Sequence, residues 1–180
     1  YITLFWAAEC VLLFWFYQKT NITLVKIASS MVLFLCLVSL LLDWATVYEK
    51  GIMTNVPVII NKGFITGITV ATALIVLYRL LRVEANTYFI GQVTVGFVKQ
   101  FVSTVAIIVL FITGLLETNY QVKQQFPSSD IHYIWTQAYV VLFVLVLILF
   151  LPLVKLKIDR TVRLILPLIC FALYVFNMAN

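Results

Sequence analysis

Of the seven acidic residues in this 180-residue chain, one sits where water does not reach easily. In TLFWAAECVLLFWF, residues 3–16, Glu9 is the one charged side chain. Its helical neighbours one turn away, Phe5, Trp6, Leu12 and Leu13, offer it no polar partner. An ionised carboxylate in such surroundings costs several kcal/mol unless it is paired, hydrated or protonated. One chemistry for Glu9 is therefore proton or cation coupling from a cavity wall. The plainer alternative is a neutral or hydrogen-bonded glutamate that ties helices together through Ser29, Ser30, Ser39, Thr69 or Thr72. Pairing with Lys99 is a further option, in which the lysine reaches down from the membrane interface.

A second group of polar residues falls at the ends of apolar runs. Asp43 closes one, Asn61 opens the next, Glu117 closes another, and Asp130 with His132 opens the one after. Carboxylates beside a histidine can bind a cation or act as general acid and base on a lipid-linked substrate, with Asp43, Glu117 and His132 as catalytic candidates. Each residue also has a structural role open to it, since Asn61 and Asp130 are placed as helix N-caps. His132 is the only histidine, which excludes a histidine-rich metal centre. No Gly-rich phosphate loop, Ser-His-Asp order or zinc-protease motif occurs, and no cofactor or metal is expected. Cys10, Cys36 and Cys170 all lie inside apolar runs, with no C-x-x-C spacing. They read as small embedded hydrophobes rather than a disulfide framework or zinc site.

The elements that must carry these groups follow from composition. The chain is 64% hydrophobic and 11% charged, against about 45–50% and about 25% in ordinary soluble domains. So little polar cover cannot solubilise that much apolar surface, and the bilayer is the natural solvent. Spanning about 30 Å of hydrocarbon takes about 20 helical residues. Six apolar runs approach that length: residues 2–17, 24–42, 63–81, about 97–116, 132–153 and 161–178. They are continuous and rich in Leu, Val and Ile, which excludes the short alternating strands of a β-barrel. The expected fold is an all-α polytopic transmembrane bundle of about six spans, forming a single region over residues 1–180. The stretch 86–98 is half-apolar and fits an interfacial helix or an extension of the fourth span. Pro152 and Pro167 are placed to kink the last two spans.

Orientation follows from the loop cations. The first, third and fifth connections hold eight Lys and Arg residues, the second and fourth hold three, and Lys99 opens the fourth span. By the positive-inside rule the first, third and fifth loops are cytoplasmic and both ends of the chain lie outside. The net charge of +5 is thus spread singly and in pairs between apolar runs, which speaks against a nucleic-acid-binding face. The chain starts at Tyr1 with apolar residues at once and has no signal-peptide pattern, so a piece of a longer protein is expected. Residues 2–14, ITLFWAAECVLLF, also echo residues 131–143, IHYIWTQAYVVLF, and each is followed by a basic turn. This fits a parallel repeat of a four-span unit.

The Trp-x-x-Glu helix at residues 6–9 with its short basic turn, and the Asn-Lys-Gly-Phe element at 61–64 in VPVIINKGFITG, together resemble a group of large multi-pass bacterial membrane proteins described only as predicted membrane proteins with a domain of unknown function. The resemblance covers most of residues 1–80. It implies a location in the bacterial cytoplasmic (inner) membrane, more spans than six, and the remainder of the longer chain and membrane lipid as partners. It implies no activity. Three classes of function remain open: transport or flipping of a small or lipid-linked solute with Glu9 as the coupling residue, a membrane-embedded transferase acting on envelope glycan or lipid at the outer face, and a structural scaffold.

Overall fold

The computed structural model describes residues 2–49, 61–84, 86–126 and 131–153. Among these residues five α-helices form: α1 (Ile2–Thr20), α2 (Thr23–Trp44), α3 (Lys62–Val83), α4 (Val95–Gln125) and α5 (Ile131–Leu153). A five-residue π-helical segment, Ala45–Glu49, prolongs α2, and a small hairpin of β1 (Tyr88–Ile90) and β2 (Val93–Thr94) precedes α4. The chain divides into two compact units, Tyr1–Glu117 and Thr118–Asn180.

The all-α expectation holds, and among the described residues fewer than six helices qualify as spans. Thr23–Tyr48, Lys62–Val83 and Val95–Gln125 are long and apolar enough to cross a membrane. These are the marks of a membrane protein. In α1 the apolar run is cut by Glu9 and closed by Gln18 and Lys19. The described apolar part of α5 is the shorter Ile134–Ile148. The sixth expected run, 161–178, and Pro167 lie outside the described residues, so the four-span repeat rests on its sequence echo alone.

Local chemistry explains where the helices stop. Asn21 takes the left-handed conformation, φ 56°, and its N–H bonds the Tyr17 carbonyl at 2.7 Å, a C-terminal cap that asparagine tolerates. Only Asn21 and Ile22 separate α1 from α2, so the two helices are antiparallel neighbours. Asn61 caps α3 by accepting the Phe64 N–H at 2.8 Å. Of the stretch 86–98, residues 95–98 belong to α4 and extend the fourth span as expected, while residues 86–94 depart from helix. Gly91, at φ 57°, supports a tight turn at Gly91–Gln92, and Tyr88 pairs with Thr94 across it. Residues of β-prone type on either side of a glycine prefer this arrangement to helix.

Unit 1 is built on α1, which packs most extensively on α2 and then on α3, while α2 and α3 also meet. Ala7 and Cys10 of α1, Cys36 and Leu40 of α2, and Val70, Ala71 and Leu74 of α3 are fully buried. Small residues at the crossing let the helix backbones approach, as membrane helices require. α4 comes close to α3 at Gly67, where a Cβ would stand 2.7 Å from Thr113 Cγ2. Towards its start α4 stands off, and the wedge between it and α2–α3 is a cleft.

Candidate functional site

The end of unit 1 that holds Asp43, Asn61 and Glu117 carries two adjoining polar clusters. In the first, the Asp43 carboxylate receives Lys62 Nζ at 2.6 Å and the Thr3 hydroxyl at 2.5 Å, and Thr3 also shares a hydrogen bond with Ser39 at 2.7 Å. Three elements meet there: the start of α1, the end of α2 and the first residue of α3. In the second cluster, Glu117 Oε2 accepts Asn61 Nδ2 at 2.5 Å and the Tyr48 hydroxyl at 3.0 Å. Tyr48 reaches this position from the π-helical segment, and its ring lies against Gly63, where a Cβ would come within 2.7 Å of Cε2. Trp44 Nε1 donates to the Gly63 carbonyl at 3.2 Å. Consecutive residues Asn61 and Lys62 thus hold two carboxylates from two different helices, Glu117 on α4 and Asp43 on α2.

The structure therefore brings Asn61 and Glu117 together and seats Asp43 on the neighbouring residue. Asp130 lies outside the described residues, and His132 falls in the first turn of α5, in unit 2. Charge-assisted hydrogen bonds of this kind are about twice as strong as neutral ones, and here they pin the start of α3. Their chemistry is that of a clamp, with donors and acceptors directed at one another.

Glu9 stands apart from this network. It is half-buried and lies on a different face of α1 from Thr3, Ala7, Cys10, Phe14 and Tyr17, which are buried. The hydroxyls expected to tie it down are engaged elsewhere. Ser29 donates to the Cys10 carbonyl, Ser30 to the Lys26 carbonyl, and Ser39 shares its bond with Thr3. Thr69 and Thr72 bond back to the Ile65 and Ile68 carbonyls of their own helix. The ion pair with Lys99 does not form among the described residues, where the pair is Lys62–Asp43.

At the opposite end of unit 1, a lysine is buried with no carboxylate in ion-pair distance among the described residues. Lys26 is 4% exposed. Its Nζ donates to the Phe89 carbonyl at 2.8 Å and lies 4.5 Å and 4.8 Å from the ring centroids of Tyr17 and Phe89. The cage replaces water with a backbone dipole and two aromatic faces, each worth about 0.5–2 kcal/mol to a cation. Tyr17 in turn donates to Glu84 at 2.9 Å, and Asn86 bonds the same carboxylate at 2.7 Å. Gln18 donates to the Leu80 carbonyl at 2.8 Å. The β-hairpin is thereby latched onto α1 and α2.

Phe89, stacked on Phe14 with ring centroids 6.1 Å apart, forms one wall of the cleft. The cleft has a volume of about 220 Å³ and is lined by Phe14, Leu33, Phe34, Leu77, Phe101 and Val102 among others; Glu9 is not part of the lining. Phe34 and Phe101 at its edges are exposed, so the cleft opens sideways from the bundle. Lys99 follows the lining residue Val98 on α4, and it pairs with no carboxylate among the described residues.

Several of these residues carry no signal in a one-residue-at-a-time reading of sequence. Tyr48, Lys62, Lys26 and Glu84 acquire meaning only through partners far along the chain. Gly63 and Gly67 do carry one, the small-xxx-small spacing of a close helix contact in GFITG. Among the described residues no group of three or more His, Cys, Asp or Glu is placed to hold a metal ion. Comparison with protein-family models, with curated proteins and with solved structures gives no match.

Proposed function

We propose that this is a multi-pass protein of the bacterial cytoplasmic membrane that holds the hydrocarbon chain of a lipid or lipid-linked solute, in the service of its transport or flipping. The single observation that carries this reading is the apolar cleft between α2, α3 and α4, open at Phe34 and Phe101. With the loops that hold Lys19 and Arg82 in the cytoplasm, the cleft falls in the inner-leaflet half of the bundle. A lipid tail gains no hydrophobic energy by leaving other tails for an apolar cleft. Occupancy therefore depends on fit and on the head group, and Lys99, next in sequence to the lining residue Val98, would supply attraction for an anionic head. A lysine near an anionic surface contributes about 1 kcal/mol.

The clamp at the other end favours this reading over a transferase. Asp43 and Glu117 are both engaged by Thr3, Lys62, Asn61 and Tyr48, which suits a fixed support for α3.

The test uses proteoliposomes containing a phospholipid with a diazirine in its acyl chain. Irradiation is expected to label α2 over residues 29–37 and α4 over residues 98–102. Val102→Trp, which fills the cleft, is expected to lower that labelling at least fivefold, and Lys99→Gln to weaken it several-fold for anionic lipid only. Labelling spread evenly over exposed apolar positions such as Leu41 and Ile75, and indifferent to Val102→Trp, would count against the proposal.

A further inference from the structure

The exposed face of α1 has a pattern of its own. Ile2, Phe5, Leu12 and Phe16 are between 48% and 65% exposed, and Glu9 stands among them. The spacing 2, 5, 9, 12, 16 alternates three and four residues, which keeps all five side chains on one narrow stripe along the helix. This is the spacing of a helix-pair seam, in which a single polar residue can fix the register of the partner. The buried face of α1, at Thr3, Ala7, Cys10, Phe14 and Tyr17, is already occupied by α2 and α3.

We propose that this stripe is the seat of a further transmembrane helix that carries a lysine or arginine at the depth of Glu9. Charge complementarity selects this occupant. A carboxylate turned towards lipid tails costs several kcal/mol, and Ser29, Ser30 and Ser39 on α2 are hydrogen-bonded to other groups. A basic side chain arriving on an apolar helix satisfies Glu9 and covers Ile2, Phe5, Leu12 and Phe16 in one step. A second copy of the described helices does not have the required chemistry. Lys19, Lys26, Lys62, Arg79, Arg82, Lys99 and Lys123 all lie near the ends of their helices, and a copy in the same orientation brings none of them to the middle of the span.

The experiment places a benzophenone amino acid at Phe5, Leu12 or Phe16 in turn, with controls at Leu41 and Ile75, in the protein in its own membranes. After irradiation the adducts are mapped by mass spectrometry. The three stripe positions are expected to join the same apolar helix, which contains a mid-span lysine or arginine, while the controls join lipid. Glu9→Leu is expected to reduce the Leu12 adduct at least fivefold. Glu9→Lys combined with the opposite change in the partner is expected to restore it. Lipid adducts alone at the stripe would overturn the proposal, as would an adduct with a helix that lacks a mid-span basic residue, a second copy included. Because the unsubstituted Glu9 protein yields the adduct map, the outcome does not depend on how well the variants fold.

Discussion

Asn61 does two things at once because an amide carries both an acceptor and a donor. Its oxygen caps α3 through the Phe64 N–H, and its nitrogen donates to Glu117 on α4. The two roles can be separated by substitution. Asn61→Ser keeps a capping oxygen and gives up the amide donor, and the loss of a hydrogen bond to a charged group is expected to cost about 1.5–3 kcal/mol. Asn61→Asp also keeps the cap, but it turns a second carboxylate towards Glu117. The loss is then expected to be at least twice that of the serine variant, because repulsion is added to the missing donor. Thermal unfolding of both variants in the same detergent measures the difference. Equal losses would show that the contact with Glu117 contributes nothing beyond the cap.

At the scale of helices, the contact between α3 and α4 depends on the missing side chain at Gly67. Gly67→Ala pushes a methyl into Thr113 Cγ2, and overpacking of this kind costs about 1–3 kcal/mol. Thr113→Ala removes the obstructing atoms and gives up only a bond to the Val109 carbonyl of its own helix. The double variant is therefore expected to recover most of the loss, with a coupling of at least about 1 kcal/mol in a double-mutant cycle. Additive losses would place the strain elsewhere. The helices themselves were legible in the sequence, because runs of Leu, Val and Ile overwhelm weaker signals. Their ends were less so. α4 continues from Glu117 to Gln125 as a polar helix, where the apolar run had stopped near residue 116. The hairpin escaped detection because strands of three and two residues are too short to display an alternation. The site was legible in part for a similar reason. Asp43, Asn61 and Glu117 stand out at the ends of apolar runs, whereas the pairing of Asp43 with Lys62 spans a connection that no local pattern bridges. For Glu9 the sequence shows the anomaly, and in the fold Ser29, Ser30, Ser39, Thr69 and Thr72 bond other groups.

Across the whole molecule, the charge distribution makes a claim about sides. The end with Lys19, Lys26 and Arg82 carries the basic excess expected to face the cytoplasm, and the clamp end faces away from it. Single cysteines at Asn21, Arg82, Thr46 and Lys123 test this with a membrane-impermeant maleimide on intact cells. Asn21→Cys and Arg82→Cys are expected to label only after the membrane is opened, and Thr46→Cys and Lys123→Cys before. The reverse pattern would invert the topology and move the cleft to the outer leaflet. Cys10 and Cys36 are buried and add little background at those two positions.

The two-residue turn at Asn21–Ile22 also bears on how the chain enters the membrane during synthesis. A helix with a carboxylate near its centre is a poor candidate to leave the translocon alone, since a central acidic residue adds about 2.5–3.5 kcal/mol to insertion. α2, which carries no acidic residue before Asp43 near its far end, follows after only two residues. So short a link leaves no room for α1 to wait in water while α2 partitions. With α1 as a span, the two helices are expected to pass the lateral gate as a hairpin, the apolar surface of α2 carrying Glu9 into the bilayer.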